Sequence, residues 1–298
     1  HVRSRRQRQM CIRDRFITDV IQGGAGTSMN MNMNEVIANR ANEILGGELG
    51  KYDKCHPNDH VNFGQSTNDV VPTAGKLTVQ MLIKDLLADL QYLYDTLQKK
   101  GDEFDHVIKM GRTHLQDAVP IRLGQEFKAF SQPVKRDLKR ISSAVEELTY
   151  VNMGATAVGT GINADVEYVK NVVRILSEVT GFNFKQSPDL VDGTRNLDSF
   201  VWLSSALKTC AVNLSKTAND IRLMASGPKA GLAELGLPQQ QPGSSIMPGK
   251  VNPVIPEVLN QVCFQIFGND ITITKAAEAG QLELNVFEPV LFLSLIHI

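Results

Sequence analysis

Ten consecutive residues, Gly243-Ser244-Ser245-Ile246-Met247-Pro248-Gly249-Lys250-Val251-Asn252, gather two hydroxyls, an ammonium and a carboxamide. Gly and Pro oppose a helix here, through backbone entropy and a missing amide donor, although helical periodicity flanks the stretch on both sides. Loops held between rigid elements are where binding and catalytic groups concentrate. Two readings fit the stretch alone: an interhelical turn with a capping Ser, or a loop that handles a carboxylate and carries a base.

Other polar stretches offer further chemistry. Gly23-Gly24-Ala25-Gly26-Thr27-Ser28 precedes a helix-like run over 34–40, and hydroxyls with free amides at a helix start suit an anion. The Lys-Ser/Thr ending of a phosphate loop is missing, and a flexible N-cap fits these residues as well. His56 and His60 stand four apart around Asp59. Without a third ligand, the Asn-rich surroundings favour hydrogen bonding over a metal. Ser66, Thr67 and Asn68 are three short polar side chains in a row, suited either to a small carboxylate or to capping the next helix. Thr113 and His114 set a hydroxyl beside an imidazole, a pairing that gains weight only from its company.

Positioning these groups falls to long helices. Leu82, Ile83, Leu86, Leu87, Leu90, Leu93 and Leu97 follow helical spacing, as do Phe127, Phe130, Val134, Leu138, Ile141, Val145 and Leu148. Leu207, Ala211, Leu214, Ala218 and Ile221 form a third stripe, and a fourth helix after Pro253 carries Val258, Leu259, Val262 and Ile266. Seams this long and narrow predict a mainly all-α bundle that is oligomeric. Strand signal is confined to 107–110. The polar segments 22–34, 56–69, 111–120, 151–163 and 226–252 fall between helices, so a site can be assembled from parts distant in sequence.

Six Arg and one Asp within residues 1–15 make a local charge of +5, against −1 for all 298 residues. The mildly acidic remainder argues against a nucleic-acid partner. That arm has neither an amphipathic period nor a signal-peptide core. Both CIRDR near the start and SLIHI at the end resemble translated adapter sequence, so residues 1–15 and 294–298 are expected to be foreign to the fold, with the latter falling inside a beginning helix. Cys11, Cys55, Cys210 and Cys263 are far apart, which predicts reduced thiols, no zinc site and a cytoplasmic setting. No apolar run reaches membrane-spanning length.

GAGTSMNMNMNEVIANRA, HPNDHVNFGQSTND, MGRTHLQDAVPIRLGQEF, MGATAVGTGINA and GSSIMPGKVNP occur in that order. Together they resemble the aspartase/fumarase superfamily over residues 16–293, GSSxMPxKxN being its signature. Finer residues resemble its aspartase branch: Ala25 to Met29 in the first motif, Thr67 in the second, Ala155 in the fourth, and Glu288 where fumarases usually carry Lys.

That resemblance implies a three-domain subunit, of which 16–72 would close the N-terminal lyase domain and 73–293 would form a truncated central helical bundle. It implies a homotetramer whose active sites each draw on three subunits, and no membrane partner. The implied reaction is reversible deamination of L-aspartate to fumarate and ammonia, without a required cofactor or metal ligand; divalent-cation activation is left open, because aspartases differ in it. By similarity, Thr27, Ser66, Thr67 and Ser245 hold the β-carboxylate. Thr113, Lys250 and Asn252 hold the α-carboxylate, and Asn68 and His114 lie near the amino group. Ser244 is the implied base, an alkoxide stabilised by amides freed at Gly243 and Gly249 and by Lys250 in a closed, dry site. Glu257 resembles the carboxylate that orients the active-site His. Fumarate hydratase is the nearest alternative, and a non-catalytic structural relative is the alternative from another class.

Overall fold

The computed structural model describes residues 15–296; Cys11, the arm up to Asp14, and residues 297–298 lie outside the described residues. In chain order the elements are α1 (Thr27–Ile44), one π-helical turn (Pro57–Val61), α2 (Thr67–Glu103), β1 (Ile108–Thr113), β2 (Gln116–Arg122), α3 (Leu123–Glu147), β3 (Tyr150–Val151), α4 (Val166–Thr180), β4 (Lys185–Gln186), α5 (Leu190–Arg195), α6 (Asp198–Met224), α7 (Val254–Glu278) and α8 (Glu288–Ile296). The fold is mainly helical, as the stripes predict. None of the described helices is long and apolar enough to cross a membrane. Cys55, Cys210 and Cys263 are free thiols.

The described residues divide into two compact units. One comprises 15–81, 146–201 and 272–296. Its core gathers Val151, Met153, Val173 and Phe184, with Val70, Leu77 and Leu176 packed against them. Burying an aliphatic side chain of this size contributes about 1.5–3 kcal/mol. Phe200 and Phe292 add an edge-to-face pair with centroids 5.3 Å apart. Beside this core α1 buries Asn30, Asn34, Ala38 and Asn42, one residue every four. This helix starts at Thr27, inside the stretch 22–34 read above as a loop. Its inward stripe is polar, and apolar periodicity is blind to it. The Asn42 carboxamide satisfies its surroundings by donating to Ala38 O and Cys55 O and accepting from Lys54 N–H.

The other unit comprises 82–145 and 202–271. Here α3 buries Phe127, Ser131, Val134, Asp137, Ile141 and Ala144. The seam is rotated from the predicted one: Val134 and Ile141 are central, while Phe130, Leu138 and Val145 are half-buried. Polar residues occupy the difference because each has a partner. Asp137 accepts from Asn213 Nδ2 at 2.8 Å and pairs with Arg140 at 2.7 Å. On α7, Asn260 donates to Ser215 Oγ at 2.9 Å, and Asp270 accepts from Ser204 and Lys208. Correspondingly, Val258 and Val262, expected inside, are 55% and 49% exposed.

Segment 111–120, also read as a loop, is largely a β-hairpin. β1 and β2 pair antiparallel from Ile108↔Arg122 to Thr113↔Gln116, with a bulge that sets Ala118 and Val119 opposite Gly111. Gly111 is required there, because a Cβ would lie 2.8 Å from the Val119 carbonyl oxygen.

Candidate active site

The candidate residues fall into two groups, one in each unit. In the first, Ser66 and Asp69 form a reciprocal cap at the start of α2. Ser66 Oγ accepts from Asn68 N–H at 3.1 Å, and Asp69 Oδ1 accepts from Ser66 N–H at 3.0 Å. The other oxygen, Asp69 Oδ2, accepts from Thr156 N–H at 3.0 Å. Asn68 Nδ2 donates to Ala157 O at 2.7 Å. Pro72 lies inside α2 and has no amide for the Asn68 carbonyl one turn back. Asn152 Nδ2 fills that place at 3.0 Å and also donates to Thr194 Oγ1. The segment 152–157 is thereby fastened to the first turn of α2.

Capping and carboxylate binding are compatible here. Ser66 Oγ acts as acceptor in its cap, and Thr67 Oγ1 accepts from Asn30 Nδ2 at 3.1 Å, so both hydroxyl protons remain to be given. Thr27 differs: its hydroxyl donates to Gly24 O at 2.6 Å. Burial pushes the Asp69 carboxyl up to about 6, against the lowering effect of the backbone amides of Ser66 and Thr156. Sequence reading passed over Asp69, Asn30 and Asn152. Only Asp69 had a signal, the Ser-x-x-Asp spacing of a helix start.

His56 and His60 belong to this unit and are engaged with backbone. His56 Nδ1 accepts from Asn58 N–H and Asp59 N–H, and His60 Nδ1 accepts from His56 N–H at 2.9 Å. These are caps on the π-helical turn. Among the described residues no group of three or more His, Cys, Asp or Glu side chains is arranged to hold a metal.

The second group sits on the hairpin and the loop before α7. Thr113 ends β1, and His114 and Leu115 form the two-residue tip with φ of 55° and 62°. Left-handed backbone at both positions marks a tight hairpin turn usually made by Asn-Gly. For His and Leu it is a strained arrangement, of a kind that clusters at functional sites. Both side chains are exposed.

The loop 243–252 is closed at its neck. Asn252 Nδ2 donates to Gly243 O at 2.7 Å, and a Cβ on Gly243 would fall 1.5 Å from the Lys250 carbonyl oxygen. Inside the neck, Ser244 Oγ accepts from Ile246 N–H at 3.3 Å and Met247 N–H at 3.2 Å. Amides do support the candidate base, but they come from these two residues and not from Gly243 or Gly249. Donors to the oxygen favour its ionised form. Ser244 is half-buried, while Ser245 and Lys250 are exposed, so within this chain the loop is open to water. Glu257 is half-buried in the first turn of α7, and no hydrogen bond joins it to His114 among the described residues.

A family model described as "Lyase" matches residues 4–268. The chain belongs to this lyase family. Aspartate ammonia-lyase of Bacillus sp is 60% identical over 284 residues, 95% of this chain and 61% of the relative. Aspartate ammonia-lyase of Escherichia coli (strain K12) is 53% identical over 278 residues, 93% and 58% of the two chains. This lyase chain thus spans about three-fifths of the length of the curated relatives it matches. Among solved structures, a fumarate lyase:delta crystallin from Brucella melitensis bound to cobalt superposes with a TM-score of 0.91 at 52% identity, covering 94% of this chain and 61% of that one. A recombinant class II fumarase from Schistosoma mansoni gives 0.88 at 39% identity, covering 93% and 61%.

Proposed function

We propose that this lyase catalyses the reversible deamination of L-aspartate to fumarate and ammonia. The observation that carries the reading is Ser244 Oγ held under two backbone amides inside a neck closed by Asn252 and Gly243. Support for aspartate over malate comes from identities of 53–60% to aspartate ammonia-lyases, against 39% to the class II fumarase.

Removing a proton from C3 of aspartate leaves a carbanion beside the β-carboxylate, tolerable only as an aci-carboxylate. Ser244 as alkoxide takes that proton. Hydroxyls of Ser66, Thr67 and Ser245 donate to the oxygens on which charge develops, the interaction expected to lower the barrier most. Thr27 joins them only after its hydroxyl leaves Gly24 O. Thr113, Lys250 and Asn252 hold the α-carboxylate, with Asn68 and His114 near the amine, which departs already protonated. No cofactor enters this scheme.

The active form is a cytoplasmic homotetramer with shared sites. Supporting the assembly, α7 exposes Ile255, Val258 and Val262 along one face and Phe264 and Ile271 along the opposite one, more than isolated surface apolar residues explain. In a shared site a neighbouring subunit supplies the water exclusion that the open loop lacks, and the carboxylate of Glu257 works on a neighbour's His114.

The test is fumarate formation from aspartate and from malate. Aspartate is the expected substrate, and turnover of malate alone overturns the reading in favour of hydration. Ser244→Ala is expected to cut kcat by about 10³-fold with substrate affinity kept. Lys250→Ala is expected to raise KM by about 10- to 100-fold, the effect of one lost hydrogen bond to a charged group. Near-normal turnover by Ser244→Ala removes it as the base.

A further inference from the structure

We propose that Glu234 is a positioning residue for this reaction, a half-buried anion that clamps the hairpin carrying Thr113 and His114 to the segment leading into the Ser244 loop. The proposal rests on the deamination reading given above.

Glu234 meets two cations of β1. Its Oε1 lies 2.5 Å from Arg112 Nη1 and its Oε2 lies 2.6 Å from Lys109 Nζ. The side chains of Glu234, Lys109 and Arg112 are 14%, 10% and 23% exposed, so these are not the solvated surface pairs that contribute little. Lys109 also pairs with Glu126, in the first turn of α3, at 2.8 Å. Burial disfavours the Glu234 charge, and the Lys109 and Arg112 contacts outweigh it, holding the carboxyl below its ordinary value.

Three residues apart on a strand, Lys109 and Arg112 would ordinarily face opposite sides. Burial along β1 alternates as far as Gly111 and then slips, so that Lys109, Gly111 and Arg112 all turn inward. The slip falls at the bulge, where Ala118 and Val119 both oppose Gly111 and the local twist increases. One carboxylate can therefore grip both cations, and the residues that follow Arg112 directly are Thr113 and His114.

On its other side Glu234 stands on a fixed base. Its N–H donates to Met224 O at 2.8 Å, and Leu235 N–H donates to the same carbonyl, a helix-end acceptor of α6. The turn leading to it is closed by Ala233 N–H to Ser226 O and Leu232 N–H to Ser226 Oγ. From Glu234 the chain runs nine residues to Gly243. The strained, exposed tip at His114 and Leu115 has little packing of its own, so its direction is inherited from the gripped end of β1.

Amide hydrogen exchange across 108–122 and steady-state kinetics on aspartate, compared for the full chain and its Glu234→Gln, Glu234→Asp and Arg112→Lys variants, test this. Expected for Glu234→Gln are hairpin amides exchanging at least about 10-fold faster and kcat lower by about 10²-fold with KM within about 3-fold, the signature of misplaced groups. Glu234→Asp, with its charge kept and its reach shortened, should fall between. Arg112→Lys keeps the charge but loses the fork, and it should show the same kcat-weighted defect more mildly, which keeps the test valid if Glu234→Gln does not fold. Unchanged exchange in the folded variants overturns the clamp. Faster exchange with unchanged kcat overturns its bearing on the reaction. An unsubstituted protein that does not deaminate aspartate sinks the deamination reading and the kinetic half of this one, while exchange still decides whether the clamp exists.

Discussion

The Asp69 carboxylate accepts amide protons from Ser66 and from Thr156, 87 residues further along the chain. It is fully buried, and burial holds its carboxyl near 6, above the ordinary 3.8. The native chain therefore binds this proton more tightly than the unfolded chain does. Asp69's contribution to stability is fully present below about pH 4 and is lost as pH rises through 6, amounting to about 3 kcal/mol in the limit. Asp69→Asn removes that dependence. It also turns an NH2 group toward one of the two amides, at a cost of about 1–3 kcal/mol. Urea unfolding of both proteins should show the parent's advantage shrinking between pH 4 and 6; a constant difference refutes the assignment. At this scale the residue types of the candidate site were legible in their order along the chain. The atoms that orient them were not, because donors such as the Ile246 and Met247 amides belong to the backbone and leave no mark in side-chain identity.

Among the elements, α2, α3, α6 and α7 were legible from their apolar stripes, while α1 and the hairpin were legible only in part, at 34–40 and 107–110. The inward face of α1 is Asn30, Asn34 and Asn42, a stripe written in carboxamides. The hairpin has a tip of His114 and Leu115 where Asn-Gly would have announced the turn, and Pro120, an uncommon strand residue, lies within β2. Pro is tolerated because a two-stranded ribbon consists of edges only. Gly111 is the element's vulnerable point. Gly111→Ala forces the bulge to open by several tenths of an ångström or more, since the obstacle is the Val119 carbonyl. That variant should lose the inward turn of Arg112 and weaken aspartate turnover roughly as Glu234→Gln does, by about 10²-fold. Parental kcat in a folded Gly111→Ala protein contradicts this.

Across the whole molecule, the buried positions of the helical seams are partly polar and several outer faces are apolar. Asp137, Asn260 and Asp270 lie inside, while Val258, Val262 and Phe264 lie outside. Buried polar partners of this kind fix register where apolar packing alone would allow slippage. Apolar residues turned outward are the surface that the proposed assembly with shared sites would cover. If sites are shared among subunits, Ser244→Ala and Thr67→Ala proteins, each inactive alone, should regain activity when unfolded together and refolded as a mixture. Random assembly would restore about a quarter of the sites. Activity no higher than that of the separate variants places Ser244 and Thr67 in the same subunit's site and removes that argument for sharing.

The neck at Gly243 has a meaning for change over generations as well as for chemistry. Ser244 Oγ is supported by two backbone amides beyond it, within a ring that the Asn252 carboxamide closes onto the Gly243 carbonyl. The segment is a self-fastening cassette whose tip at Ile246, Met247 and Pro248 can vary in side chain without disturbing the hydroxyl it presents, provided 246 and 247 never become Pro. Its clasp has no such freedom: no residue larger than Gly can occupy position 243. Descendants of this loop can diversify in side chain at the tip, while the clasp stays fixed.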